Sequence, residues 1–261
     1  MSTYGIILCA WQSADLLESC LAPWLAAKRA RLGGHNWAIC AVSVPFEGFP
    51  QDAPDGTRQI LDGYAATGEI DHLITSDKPM KETEARGAAL RWLVARGVDL
   101  SWQIDSDEIY AETDIASILK WVEASPYVIS FRLSLRNAVF DEHTFLVEPF
   151  QPMRIHRARA GGYWAAGLWD DNNVYYQQGQ FADHVKRDID LASTTIPASV
   201  ANPRHLSWLS NARSKAKIRY QLDGRGWPEC SFRWDEATDS LQFNETYYAA
   251  RGLPLPEVVN L

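Results

Sequence analysis

The sequence predicts an α/β fold: a doubly wound, mixed sheet with helices on both faces, followed by an antiparallel or irregular C-terminal half. Three observations carry this. Short continuous apolar runs at 4–10 and 37–44 have the pattern of strands buried on both faces. Strand and helix patterns then alternate four times within about a hundred residues, the signature of parallel β–α units. Beyond residue 124 the pattern changes to longer, alternating stretches of antiparallel character.

The elements follow in order. YGIILCA (4–10) is the first strand, and a helix is expected from about Ser13 to Arg31, with Ser13 as N-cap and Gly33-Gly34 as the stop. WAICAVSV (37–44) is the second strand, after which Pro45, Gly48, Pro50 and Pro54 mark a long loop. A short helix at 57–67 and a strand at 70–75 come next. An amphipathic helix at 81–97, closed by Gly97, precedes the fourth strand at 98–104. After a helix at 113–124, YVISFRLSLRNAVF (127–140) and TFLVEPFQPMRIHR (144–157) read as long strands, and a helix is expected at 209–222. With no Gly/Ser linker and no internal repeat, the chain reads as one domain over 1–261, in halves 1–110 and 111–261.

Bulk properties exclude several classes. Hydrophobic residues at 46% and charged residues at 22% place the chain among globular rather than disordered sequences. A net charge of −8 disfavours a general nucleic-acid surface, although Arg204, Arg213, Lys215, Lys217 and Arg219 form a local basic patch. Cys9, Cys20, Cys40 and Cys230 lack metal-ligand spacing, and Cys9 and Cys40 sit in apolar runs, so reduced core thiols are expected. The N-terminal MSTYGIILCAW lacks a basic signal-peptide region, and no apolar run is long enough to span a membrane. A cytoplasmic location is the corresponding expectation. Eleven tryptophans fit a bulky core better than a set of ring-binding platforms.

The chemistry concentrates in WQIDSDEIYAE (102–112), where Asp105, Asp107 and Glu108 crowd at the end of the fourth strand. In open α/β sheets ligands bind at the carboxyl ends of the strands. Residues two apart in an extended or turning backbone can face the same way, so Asp105 and Asp107 can converge on one hard cation, Mg²⁺, Mn²⁺ or Ca²⁺. The competing reading is a solvated acidic turn in which Glu108 or Glu112 favours the following helix N-terminus. An EF-hand is disfavoured, because its loop Gly and closing Glu are absent. Glu108 is expected to point away from the other two and order the turn.

YGIILCAW, the EARGAAL helix and WQIDSDE together resemble the GT-A nucleotide-sugar glycosyltransferases, particularly family 2, over about residues 4–110. The resemblance implies a GT-A (Rossmann-like) fold with a D-x-D holding Mn²⁺ or Mg²⁺ on a nucleotide diphosphate. It implies Asp105, Asp107 and His205 as metal ligands. It also implies Ala10, Trp11, Gln12, Lys81, Arg86, Asp105 and Ser106 along the nucleotide-sugar donor. ARG stands where the family often shows A-R-N. SVPFEGFP replaces the D-D-x-S that often meets base and ribose, with Glu47 as either a stand-in or a solvated loop residue.

In the second half, HLSWLSNARSKAKIRY (205–220) supplies His205 and then a basic helix. Arg213, Lys215 and Lys217 cannot all face one ligand there. GGYWAAGLWDDNN (161–173) carries Asp170-Asp171. The resemblance implies that Asp171 or Asp170 deprotonates the acceptor hydroxyl in an inverting transfer, with Trp164 and Trp169 as an acceptor platform; a turn with an Asx cap is the plainer account. The expected activity is thus metal-dependent hexosyl transfer from a nucleotide-sugar, with a UDP-sugar placed first, to a glycan, lipid, protein or modified base. Two alternatives stand beside it. A sugar-phosphate nucleotidyltransferase is ranked lower because CAWQSADL lacks a Gly-rich basic loop, and a catalytically silent nucleotide-sugar-binding module is the other.

Overall fold

A computed structural model describes residues 2–49, 55–147, 151–157, 162–164, 174–176, 193–209, 211–224 and 230–260. Its centre is a seven-stranded mixed sheet. Four strands run parallel: β1 (Thr3–Cys9), β2 (Asn36–Ser43), β3 (His72–Thr75) and β4 (Leu100–Asp105). Their spatial order is β3-β2-β1-β4, so the order reverses between β1 and β4. Cys9 at the end of β1 is in register with Asp105 at the end of β4. The acidic stretch therefore lies at the switch point of a doubly wound sheet, where a crevice opens between diverging connections.

Both faces of β1 are buried, as its unbroken apolar run requires. Ile6 and Leu8 pack beneath α1 (Ala14–Ala30), α2 (Thr57–Ala66) and α4 (Glu112–Glu123), while Ile7 and Cys9 pack beneath α3 (Glu82–Val94). Trp24 on α1 stands edge-on to Trp102 and Tyr110, with ring centroids 4.6 and 5.0 Å away, and Trp37 joins the same core. These three tryptophans are structural, as the composition suggests. All four cysteines are buried free thiols. Among the described residues no helix is long and apolar enough to cross a membrane.

The second half departs from the sequence expectation in one respect. The stretch 127–140 is not one strand but two, β6 (Ser130–Leu133) and β7 (Arg136–Val139), and the chain changes sheets between them. β6 stays in the main sheet, between β9 (Met153–Arg157), which it meets antiparallel, and β12 (Ser193–Ile196), which it meets in parallel. β9 in turn lies antiparallel to β4. Ser134 makes the crossover, its Oγ donating to the Ile196 carbonyl at 3.1 Å. The 144–157 stretch divides likewise, into β8 (Thr144–Leu146) and β9.

A second, five-stranded sheet takes β7 and β8. It orders as β16-β8-β7-β13-β5, with β5 (Glu108–Ile109), β13 (Arg204–Trp208) and β16 (Val258–Asn260). β13 runs antiparallel to β5, setting His205 opposite Glu108. Two short hairpins, β10 (Gly162–Trp164) with β11 (Val174–Tyr176) and β14 (Phe232–Asp235) with β15 (Ser240–Phe243), complete the strands. The basic helix α5 (Asn211–Arg219) follows β13, and a final helix α6 covers Glu245–Ala250. The arrangement is the mixed, Rossmann-like α/β sheet with helices on both faces that the sequence predicts, with a largely antiparallel second half.

Candidate active site

The loop after β1 forms one wall of the switch-point crevice. Ala10 N donates to Val42 O at 2.9 Å, and Gln12 adopts φ +51, a left-handed conformation uncommon for a non-glycine residue and enriched at functional turns. Ser13 takes the N-cap position of α1 without bonding the helix through its side chain. The cap comes from far along the chain instead, with Asp55 Oδ2 accepting from Ala14 N at 3.0 Å. Ser13 Oγ donates to Trp11 O at 2.9 Å and accepts from Ser106 Oγ at 2.7 Å, tying the loops after β1 and β4 together. Ser106, expected along the donor, is buried and spent on this tie.

Asp105 holds the most heavily engaged carboxylate at the rim. Its Oδ1 accepts from Arg86 Nη2 at 2.8 Å, and its Oδ2 accepts from Arg154 Nη2 at 2.8 Å. Arg86, one turn into α3, also binds Glu82 through Nε at 3.0 Å. Arg154 on β9 reaches Glu108 Oε1 through Nε at 2.8 Å, and Tyr110 Oη donates to Glu108 Oε2 at 3.0 Å. Four members of this network are almost wholly sealed from solvent, with Arg86 at 3%, Tyr110 at 2%, Arg154 at 1% and Glu108 at 0% exposure. Guanidinium forks suit this role, because each gives several planar donors to fixed carboxylates.

Burial alone would lift the Asp105 carboxyl, but Arg86 and then Arg154 outweigh it and hold it below the usual range. For Glu108 the balance tips the other way: burial pushes its carboxyl up to about 7 against the pull of Arg154. Burial also opposes the Arg154 cation, yet Glu108 and Asp105 keep it firmly charged.

These contacts redistribute the roles that the sequence suggested. Asp105, Asp107 and His205 do not converge as a ligand set, and no group of three His, Cys, Asp or Glu residues among the described residues is arranged to hold an ion. The reason is electrostatic: two arginines already occupy both Asp105 oxygens. Arg86 likewise does not line the crevice but is buried as the lock on Asp105. Lys81 lies exposed at the N-cap of α3. Glu108 does not point away from Asp105 as expected: Arg154 Nη2 serves both Glu108 Oε1, at 2.5 Å, and Asp105 Oδ2, at 2.8 Å, while the Glu108 backbone forms β5.

Asp107 and His205 do meet. His205 Nε2 lies 3.7 Å from Asp107 Oδ1, and Leu206 N donates to Asp107 O at 2.8 Å, so β13 carries the histidine directly over the acidic turn. Nδ1 of His205 lies 2.9 Å from Asn137 Oδ1, and a proton held there would turn the Nε2 lone pair towards Asp107. Burial first, then Lys217 and Arg154, lower the His205 imidazole to about 4 against the pull of Asp107. The ring is thus neutral at pH 7, and its contact with Asp107 is not an ion pair. Ser207 Oγ completes the cluster, 2.5 Å from Asp107 Oδ2 and 2.7 Å from His205 Nε2, with Lys217 Nζ on the same hydroxyl. Ser207 has one proton and two acceptors in reach, so it serves one of them at a time.

Neutral imidazole with its outer nitrogen fixed by an amide oxygen, beside a carboxylate, is a donor pair suited to a divalent cation of the Mn²⁺ or Mg²⁺ type. Two cis ligands of an octahedral ion at about 2.1 Å lie about 3 Å apart, so the 3.7 Å separation needs only a small adjustment. Asp107 and His205 fit such an ion, and Asp105 does not. The sequence analysis missed Arg154, Ser207, Asn137 and Tyr110. A signal for Arg154 was present: MRIHR alternates within a buried strand, so an inward arginine had to answer a carboxylate. The expected base, Asp171 or Asp170, and Trp169 lie outside the described residues, and Trp164 stands on β10.

No family model matches the sequence, and no curated protein matches it. Solved structures with some likeness include S. aureus TarS residues 1–349, at 11% identity and TM-score 0.41 over 60% of this chain and 47% of that one. The same region in complex with UDP gives 12% identity and TM-score 0.42, covering 60% and 47% of the two chains. Its complex with UDP-GlcNAc gives 12% and 0.42, covering 60% and 46%. The chain thus spans less than half the length of these structures, and likeness of this degree assigns no activity.

Proposed function

We propose that this chain is a glycosyltransferase that moves a hexosyl group from a nucleotide-sugar, a UDP-sugar foremost, to an acceptor hydroxyl with a divalent cation's help. The single observation behind the reading is the Asp107–His205 pair at the sheet's switch point, with Nε2 of the imidazole 3.7 Å from Asp107 Oδ1. Asp107 and His205 would hold Mn²⁺ or Mg²⁺, which when bound supplies Lewis-acid stabilisation of the charge that gathers on a leaving diphosphate. Asn137 fixes the imidazole's tautomer and angle. Arg86 and Arg154 neutralise Asp105 and hold the β4 end in place, which keeps the rim rigid without adding a further bare carboxylate. The loop Ala10–Gln12 borders the same crevice and is where donor contacts belong in a sheet of this order. Asp171 or Asp170 is the proposed base for an inverting transfer, taking the acceptor proton as the sugar carbon is attacked. A glycan, lipid, protein or modified base each offers such a hydroxyl, and a cytoplasmic setting, where nucleotide-sugars are made, suits the reading.

The test is a thermal-shift panel of nucleoside diphosphates and nucleotide-sugars, run with Mn²⁺ and with chelator. One nucleotide should raise the melting temperature of the wild-type chain only with Mn²⁺. Asp107→Asn and His205→Ala should abolish that rise while still folding. Metal-dependent stabilisation that survives both substitutions would place the ion elsewhere and end the proposal.

A further inference from the structure

The basic helix after His205 offers Arg213, Lys215, Lys217 and Arg219, and sequence alone does not choose among them. The surroundings of Lys215, Lys217 and Arg219 distinguish those three, while the Arg213 side chain lies outside the described residues. Lys215 Nζ pairs with Asp239 Oδ1 at 2.8 Å and rests 4.3 Å from the Trp234 ring centroid, on the side of the β14–β15 hairpin. Arg219 is exposed. Lys217 instead points inward and sets its ammonium on Ser207 Oγ, the hydroxyl shared by Asp107 and His205, with the Trp208 ring 5.1 Å away.

Lys217 is also held in place from beyond the helix. Tyr220, three residues on and on the same face, donates from Oη to Glu82 Oε2 at 3.1 Å and packs edge-on against Phe49 at 5.4 Å between centroids. α5 and the turn after it therefore bridge from β13 to the start of α3 and to the loop after β2. Tyr220 fixes the far end of that bridge, and Lys217 projects from its middle towards the Asp107 cluster.

Resting on the reading of the site given above, we infer that Lys217 is the chain's own diphosphate-binding cation. A nucleoside diphosphate brings more negative charge than one divalent ion cancels, and Asp107 adds another. A second cation one hydroxyl away from Asp107 answers that excess. Lysine suits the task, being a point charge on a flexible four-carbon stem that can leave Ser207 Oγ for a phosphate oxygen without moving the helix. Arg86 and Arg154 cannot do this, since both are sealed beneath the rim, at 3% and 1% exposure.

The experiment is calorimetric titration of UDP and UMP, each with Mn²⁺, into wild type, Lys217→Met and Lys217→Arg. Loss of one charge-assisted contact predicts UDP binding about 10–100-fold weaker in Lys217→Met, a smaller loss for UMP, and partial rescue in Lys217→Arg. A second measurement needs no variant: UDP should slow acetylation of Lys217 by acetic anhydride in the wild-type chain, read by mass spectrometry, far more than UMP does. Equal UDP affinity in wild type and Lys217→Met overturns the inference alone and leaves the site reading intact. UDP binding that leaves Lys217 acetylation unchanged does the same. If wild type binds no UDP with or without Mn²⁺, the site reading falls and this inference falls with it.

Discussion

Replacing Arg154 with methionine removes a guanidinium that is 1% exposed and that contacts Asp105 at 2.8 Å and Glu108 at 2.8 Å. At an effective dielectric of ~20, each such contact is worth about 4 kcal/mol of attraction. Against that, the wild-type arginine bears a desolvation cost of several kcal/mol that the methionine does not, so the two terms largely cancel. What remains is the strain of leaving carboxylates buried without their cation, about 3–5 kcal/mol when one partner of a buried pair is deleted. Asp105 keeps Arg86, so most of the loss falls on Glu108, which is fully buried. Urea unfolding at pH 8, followed by the fluorescence of the buried Trp24 and Trp102, reads the difference directly. Thermal melts should fall by roughly 6–20 °C, at about 2–4 °C per kcal/mol for a domain of this size. Without Arg154 to pull it down, the buried Glu108 carboxyl takes up a proton, so adding Glu108→Gln should recover about 1–2 kcal/mol at pH 8 by removing the cost of that protonation. An Arg154→Met chain within about 1 kcal/mol of wild type would show that the network does not hold the rim together, and the account of Asp105 would fail with it.

The remaining predictions concern the sheet on which the site stands. His156 is buried on β9 with Nδ1 3.0 Å from Ser130 Oγ, and burial, then Arg154 and Arg132, lower its imidazole to about 3. Below about pH 6.5 the unfolded chain binds a proton that the folded chain refuses, so stability falls as pH drops from there towards about 3. The stability gap between wild type and His156→Gln should therefore narrow by about 2 kcal/mol between pH 6.5 and 4.5, in urea titrations, and a gap independent of pH would refute this. Gly5→Ala places a Cβ 2.8 Å from Leu93 Cδ1 and 3.0 Å from Val98 Cγ1, where β1 meets α3. A loss of about 1–3 kcal/mol is expected, and equal stability would mean that the helix yields there at no cost.

The parallel half of the fold was legible because its signal is local. β1 and β2 are buried on both faces, so each shows an apolar run whatever it packs against, while β4 alternates Leu100, Trp102 and Ile104 with polar Ser101 and Gln103. The change of sheet near Ser134 was not legible. The alternation continues through SFRLSLRNAV without Gly or Pro, and the crossover is marked by distant partners such as the Ile196 carbonyl and the Gln151 amide on Ser134. The same division applies to the site. Its location at the end of β4 followed from position, but the division of labour between Asp105 and Asp107 did not. Whether a carboxylate becomes a lock or a ligand depends on which cation meets it. Arg154 stands 49 residues from Asp105, and Ser207 stands 100 residues from Asp107. No window of sequence reports such meetings, and only the general demand that crowded carboxylates be answered was visible in advance.

The pairing of β13 with β5 also bears on the chain while it is being made. A nascent polypeptide that has emerged only through β9 can assemble the parallel strands, the helices around them and the arginine lock on Asp105. It still lacks the histidine and serine that face Asp107, because β13 enters the second sheet only after residue 204. The acidic turn stays incomplete until nearly four-fifths of the chain has been synthesised. Folding of the scaffold and completion of the site are thus separate events in time. A chain ending before β13 would lack His205 and Ser207, the residues that face Asp107.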